Sequence, residues 1–201
     1  MEVKMGFDLY GFNPDLTRAK PTIDWESKPT AKEKDDFFKD LTRFEDENVG
    51  YYFRNNVWWW RPLANYVLKL MGNEFTEEEQ KSWHHNDGFE VSEEKATKIA
   101  ERLEQELNTS RVKQVEEHYK KRMKEADETN KLLEEKKREL EKIVQDKTGE
   151  KLAPVKYPEP FKSQWEDIQK QYDWEASYPF SESNVIDFMK FCRASRGFSI
   201  C

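Results

Sequence analysis

Glycine, cysteine and histidine are scarce: the 201 residues include only seven, two and three of them. Seven scattered glycines leave no loop of the kind that wraps backbone N–H groups around a phosphate. The two cysteines, Cys192 and Cys201, are too few for a disulfide framework and read as packed thiols in a reducing compartment. His84, His85 and Asp87 are close in sequence, but adjacent side chains diverge and no second pair follows at a zinc-like spacing, so no metal is expected. There is no GxSxG and no base beside either cysteine, and no catalytic residue or cofactor is assigned. Forty-one acids make any pair of carboxylates uninformative.

Also missing are a long apolar run and an excess of positive charge. Nothing approaches the length needed to cross a bilayer, so no membrane partner is expected. The start, MEVKMGFDLY, has no basic segment followed by an apolar one, and the expected location is the cytoplasm. The formal charge is −7 and the pI near 5.3, against the net basic surface that phosphate-backbone binding needs, so nucleic acid is not an expected partner. The basic run Lys120–Lys124 is flanked by Glu116, Glu117, Glu125 and Asp127 and reads as a solvated helix face. A local Arg-lined pocket for a small anion stays open.

What the chain has in quantity is aromatic side chains: seven Trp, thirteen Phe and eight Tyr, mostly before residue 90 and after residue 157. The expected fold is mainly α (α+β): a compact helical core, a small sheet made by the chain ends, and an inserted charged helical-hairpin arm. Residues 1–110 and 155–201 would form one globular domain, with residues 111–154 as the arm. Met5–Phe12 alternates and reads as a strand; Phe198–Cys201 could pair with it. Thr30–Asp46 is a helix candidate with Phe37, Phe38, Leu41 and Phe44 on one face, suited to docking on a core. Thr76–Glu79 is a capping box opening a helix that runs to about Trp83. Ser92 caps a helix with Ala96, Ile99, Ala100, Leu103 and Leu107 on its apolar side. Ser181 caps the last, Glu182–Ala194, with Gly197 placed to end it.

From Arg111 to about Lys147 the chain is charged and helix-favouring. Val112, Tyr119, Ala126, Leu133 and Leu140 recur every seven residues, but the companions three residues on (Val115, Arg122, Thr129, Lys136 and Ile143) are mostly polar. That is a thin seam for a helix that would span about 50 Å at 1.5 Å per residue. Gly149 ends it, and Ala153–Pro160 reverses the chain. Phe161, Trp165, Ile168 and Tyr172 then form one face that could pack back along the arm; self-association through the seam is the rival reading.

The most informative stretch is Tyr51–Leu63, YYFRNNVWWWRPL. Pro62 fits a first helical turn and disfavours helical angles at Arg61, which predicts a helix starting at Pro62 with the tryptophans on extended chain before it. Three consecutive Trp cannot share one face. Arg54, Asn55, Asn56 and Arg61 surround Trp58, Trp59 and Trp60 with donors and acceptors, the composition of a site for a nucleobase or similar planar anion. Asn86, Asp87 and Arg193 belong to polar clusters that could converge on it. Core packing, with the Asn pair satisfying a turn, accounts for the same block.

MGFDLYGFNP (5–14), YYFRNNVWWWRPLANYV (51–67), NDG (86–88) and FCRASRGFSIC (191–201) resemble an uncharacterised family of phage and prophage proteins. The resemblance covers both ends and skips the charged arm. The family tends to carry Gly where this chain has Arg196, which marks that corner as altered here. It implies a phage origin and an infected bacterial host cell, but no activity. The expected function is therefore binding of a small anionic or nucleotide-like ligand, with sequestration of a nucleotide-derived host defence signal as the form it takes. The alternatives are an interaction protein that meets a host protein through the arm, and a nucleotide-processing enzyme.

Overall fold

The computed structural model describes residues 6–201, so the strand expected from Met5 is seen from Gly6. Among the described residues the fold is mainly α with one antiparallel sheet, and the chain divides into two compact units. The first holds residues 6–116 and 180–201, the second residues 117–179. Residues 155–179, assigned to the globular part from sequence, fall in the second unit.

In the first unit four strands, β1 (Gly6–Gly11), β2 (Tyr52–Asn56), β3 (Phe89–Val91) and β4 (Phe198–Ile200), lie in the order β2-β1-β4-β3. The chain ends pair as expected, Leu9 opposite Ile200, and β1 also pairs with β2, Asp8 opposite Arg54. Period-two alternation sorts the side chains. Phe7, Leu9, Val91, Phe198 and Ile200 are buried on one face, with Phe53 beside Phe188 and Phe191. Asp8, Tyr10, Tyr52, Arg54, Glu90 and Ser199 point the other way and each keeps some exposure.

The helices of this unit are α1 (Ala31–Glu47), α2 (Val57–Met71), α3 (Glu77–Ser82), α4 (Glu93–Asn108), the first turn and a half of α5 (Arg111–Thr148), and α7 (Glu182–Ser195). Local capping explains most of their starts. Thr30 and Thr76 form full capping boxes with Glu33 and Glu79, while Ser92 and Ser181 accept from the N–H groups of Lys95 and Asn184. α7 is the central helix, burying Val185, Phe188, Phe191 and Cys192 between the sheet and α4. Its C-terminus approaches so closely that a Cβ at Gly50 would strike the Ala194 backbone.

Two expectations are corrected. First, α2 starts at Val57, not Pro62. The Asn56 side chain accepts from the N–H groups of Trp58 (3.0 Å) and Trp59 (3.1 Å), and a strong N-cap sets the start despite the proline. Pro62, the sixth residue of the helix, forfeits the bond to the Trp58 carbonyl. Burial of Trp60, Pro62, Leu63, Ala64, Tyr66 and Val67 offsets that loss. Second, α1 docks only through Phe44; Phe38 is exposed and Phe37 and Leu41 half-buried. β3 is a strand of three residues that adds to the sheet at the edge β4 offers.

The second unit is built on α5 from Glu117 onward and on α6 (Phe161–Lys170). Its buried seam is Ala126, Asn130, Leu133, Lys137, Leu140 and Val144. The companions of the heptad positions thus lie four residues on, not three, and Ile143 is exposed. Two polar companions are satisfied by the returning limb. Asn130 donates to the Asp173 carbonyl (2.8 Å) and accepts from its N–H (2.9 Å). Lys137 places its ammonium 5.5 Å from the Trp165 ring centre and 5.0 Å from that of Tyr172, with Glu134 at 2.8 Å. The limb therefore occupies the seam that self-association would need. Among the described residues no helix is long and apolar enough to cross a membrane.

Candidate functional site

The Tyr51–Leu63 block splits at Asn56 into strand and helix, and the split decides what each side chain can do. Within α2 successive residues turn by about 100°, so the three tryptophans fan out. Trp60 is fully buried, stacked between Phe7 (5.3 Å) and Trp83 (5.8 Å), and its indole N–H donates to the Trp83 carbonyl at 2.7 Å. Trp59 is half-buried, and Trp58 remains 41% exposed. Asn56 is consumed as the helix cap. Asn55 points inward and donates to the Asn184 side chain at 3.1 Å, tying β2 to α7.

Arg54 alternates to the open face of the sheet. Its Nε lies 3.3 Å from Asp8 Oδ1, the atom that also accepts a short hydrogen bond from the Tyr52 hydroxyl. Tyr52 in turn sits 5.3 Å from Tyr10, rings tilted by 38°. Asp8, Tyr10 and Tyr52 thus join Arg54 in one cluster on the partly exposed face of the sheet. Burial, reinforced by Asp8, pushes both phenols above their ordinary range and keeps them neutral. These three residues escaped the sequence reading, although the alternation in FDLY and YYFRN carries the signal: Asp8 and Tyr10, like Tyr52 and Arg54, share one face.

Some of the expected residues gather near this cluster. Gly6 pairs with Asn56, its carbonyl accepts from Asn86 (3.3 Å), and the Arg54 side chain passes 3.5 Å from where a Gly6 Cβ would stand. Asp87 follows Asn86 in the same exposed turn. Arg61 is exposed and close enough to His84 that its charge, after burial, helps push the imidazole below its ordinary value. Others do not join. Arg193 forms a two-pronged pair with Glu104 (3.1 and 3.0 Å), bracing α7 on α4, and Arg196 pairs with Asp15.

For nucleophilic chemistry, Cys192 is buried and its thiol is pushed well up, which makes it a core side chain at neutral pH. Among the described residues no three His, Cys, Asp or Glu side chains group as metal ligands. What the open-face cluster offers is a stacking surface beside a guanidinium. No family model matches this chain, and neither a curated protein nor a solved structure does.

Proposed function

We propose that this protein binds a small planar anion of nucleotide type on the open face of its sheet and sequesters it without converting it. The observation that carries the reading is the Tyr10–Tyr52 ring pair beside the Arg54 guanidinium on the partly exposed face of the sheet. Ring faces accept any base, and base–aromatic stacking contributes about 1–3 kcal/mol per base. Arg54 supplies the charge-assisted contact to a phosphate, while Asp8 holds Arg54 and Tyr52 in place. The Asn86–Asp87 turn, whose Asn86 side chain donates to the Gly6 carbonyl, lies next to β1 at that end of the sheet. The resemblance of the end motifs to phage proteins makes a nucleotide-derived host defence signal the ligand to try first.

The test starts with purified protein incubated with a nucleotide panel and host-cell extract, washed, denatured, and the released molecules weighed by mass spectrometry. The expectation is an intact nucleotide, lost together from Arg54→Ala and Tyr10→Ala variants that keep their circular dichroism. A chemically altered product would make the protein an enzyme. No ligand from the wild type, or equal binding by both variants, sinks the proposal.

The interaction reading has one specific observation behind it. With the seam of α5 occupied by the returning limb, Leu132, Ile143 and Val155 remain exposed in the second unit. A protein partner of the arm would have to engage that outer surface.

A further inference from the structure

Apart from the open sheet face, the first unit carries a second aromatic surface. α1 has 17 residues but buries only Phe44. Its Phe37 and Phe38 rings stand 5.3 Å apart, and Trp25 from the preceding loop meets them at 6.1 and 6.3 Å. Trp25 is 53% exposed and Phe38 52%. Three mutually contacting rings, two of them more than half exposed, are anomalous for a protein surface, and Trp is among the residue types enriched at binding hot spots.

Beside the rings, a wide-open cleft of about 770 Å³ runs between residues 20–29 and α1. Asp24, Glu33, Asp36 and Asp40 line it with Phe37, against Lys20 as the one basic residue of the lining. The wall thus sets an excess of carboxylates beside the Phe37 ring, which in turn contacts Trp25 and Phe38. The chain's own cations already use both halves of it at the margins. Arg18 donates to Asp40 at 3.2 Å and to the Asp40 carbonyl at 3.0 Å, and the Lys34 ammonium lies 6.0 Å from the centre of the Trp25 ring. Long cationic side chains fit such a surface because their methylenes cover rings while their heads reach carboxylates.

We infer that this face of α1 docks a short basic segment of a partner protein, its Lys or Arg heads on Asp24 and Asp36 and its apolar residues on Trp25, Phe37 and Phe38. Charge complementarity selects the occupant. An acidic or neutral segment would leave the carboxylates uncompensated over the cleft, and a chain of net charge −7 is a poor general partner for itself.

The test uses the full-length protein labelled with ¹⁵N and synthetic peptides of about eight residues in which Lys or Arg alternates with Leu, a length suited to one such groove. The controls carry Glu in place of the cations. The basic peptides should shift the Trp25 indole resonance and the amides of Phe37–Asp40, and the acidic ones should not. Affinity should fall by about tenfold or more in Trp25→Ala and in Asp36→Lys. It should also fall as salt rises from about 50 to 500 mM. Both substitutions are at exposed positions, and each variant is checked for an unchanged spectrum outside α1. The inference is overturned if no basic peptide binds, if the shifts map elsewhere, or if Asp36→Lys binds as well as wild type. It is equally overturned if sedimentation shows a dimer that Trp25→Ala dissociates, since the occupant would then be a second copy.

Discussion

Replacing Arg196 by Gly should stabilise the first unit, although it removes an ion pair. Arg196 ends α7 in left-handed backbone, φ 53° and ψ 46°, followed by Gly197 at φ 90°. A side chain in that region costs about 1 kcal/mol relative to Gly, because its Cβ crowds the backbone. Against this, the guanidinium meets both Asp15 carboxylate oxygens at 2.9 and 2.7 Å, with the two side chains 47% and 87% exposed. A pair so open to water contributes about 0–1 kcal/mol and is screened by salt. The strain exceeds the pair, so Arg196→Gly should gain about 0.5 kcal/mol in dilute buffer and about 1 kcal/mol at high salt. Arg196→Ala separates the two effects, since it loses the pair and keeps the strain. Urea unfolding followed by Trp fluorescence should rank Gly above wild type and wild type at or above Ala. The Gly–Ala gap should stay near 1 kcal/mol whatever the salt. A Gly variant no more stable than Ala would refute the reasoning, because the left-handed residue would then store no strain.

Three further outcomes follow from other sites. Asn56→Ala should cost about 1–2 kcal/mol by uncapping α2, and Asn56→Asp should restore most of it; equal stability of Ala and Asn at this position would mean that packing alone starts the helix. Asn130→Ala leaves a backbone N–H and carbonyl of Asp173 without their partner and should cost about 2–3 kcal/mol in the second unit, with the Asp173 amide exchanging hydrogen faster; unchanged exchange would remove Asn130 from that role. His84 is held below its ordinary value of 6.5, first by burial and then by Arg61 and His85, so the folded chain takes up its proton less readily than the unfolded one. The stability this represents is complete above about pH 6.5 and is lost as pH falls below it, so urea midpoints should drop between about pH 7.5 and 5.5, and less so in His84→Asn; an identical acid slope in the variant would show that His84 is not the group responsible.

Much of the architecture follows from short stretches of sequence. Thr30, Thr76, Ser92 and Ser181 start their helices because a cap is made within four residues of chain, and such contacts need no partner from elsewhere. The pairing of the chain ends was legible because Phe7, Leu9, Phe198 and Ile200 alternate with polar neighbours, so each strand has only one face to bury. The helix-favouring character of residues 111–147 was equally legible from propensity and the lack of Gly or Pro, and the structure makes it one helix, Arg111–Thr148.

Tertiary structure decided the rest. Local rules placed Pro62 in a first turn, but the Asn56 cap and the core around Trp60 outweigh one forfeited hydrogen bond. The polar seam positions Asn130 and Lys137 look unfit for burial until the Asp173 backbone and the Trp165 and Tyr172 rings arrive from more than 25 residues away. The same holds for the candidate site. Composition marked Arg54, Asn55, Asn56, Trp60 and Arg193 alike as polar or stacking groups, yet only the fold assigns Asn55, Asn56, Trp60 and Arg193 to structural contacts. Arg54 alone of these it leaves on the open face, with Asp8, Tyr10 and Tyr52. A side chain's type is written in the sequence, but its partners are set by which distant segments meet it, and those long-range contacts separate a packing residue from one with a face left for a ligand.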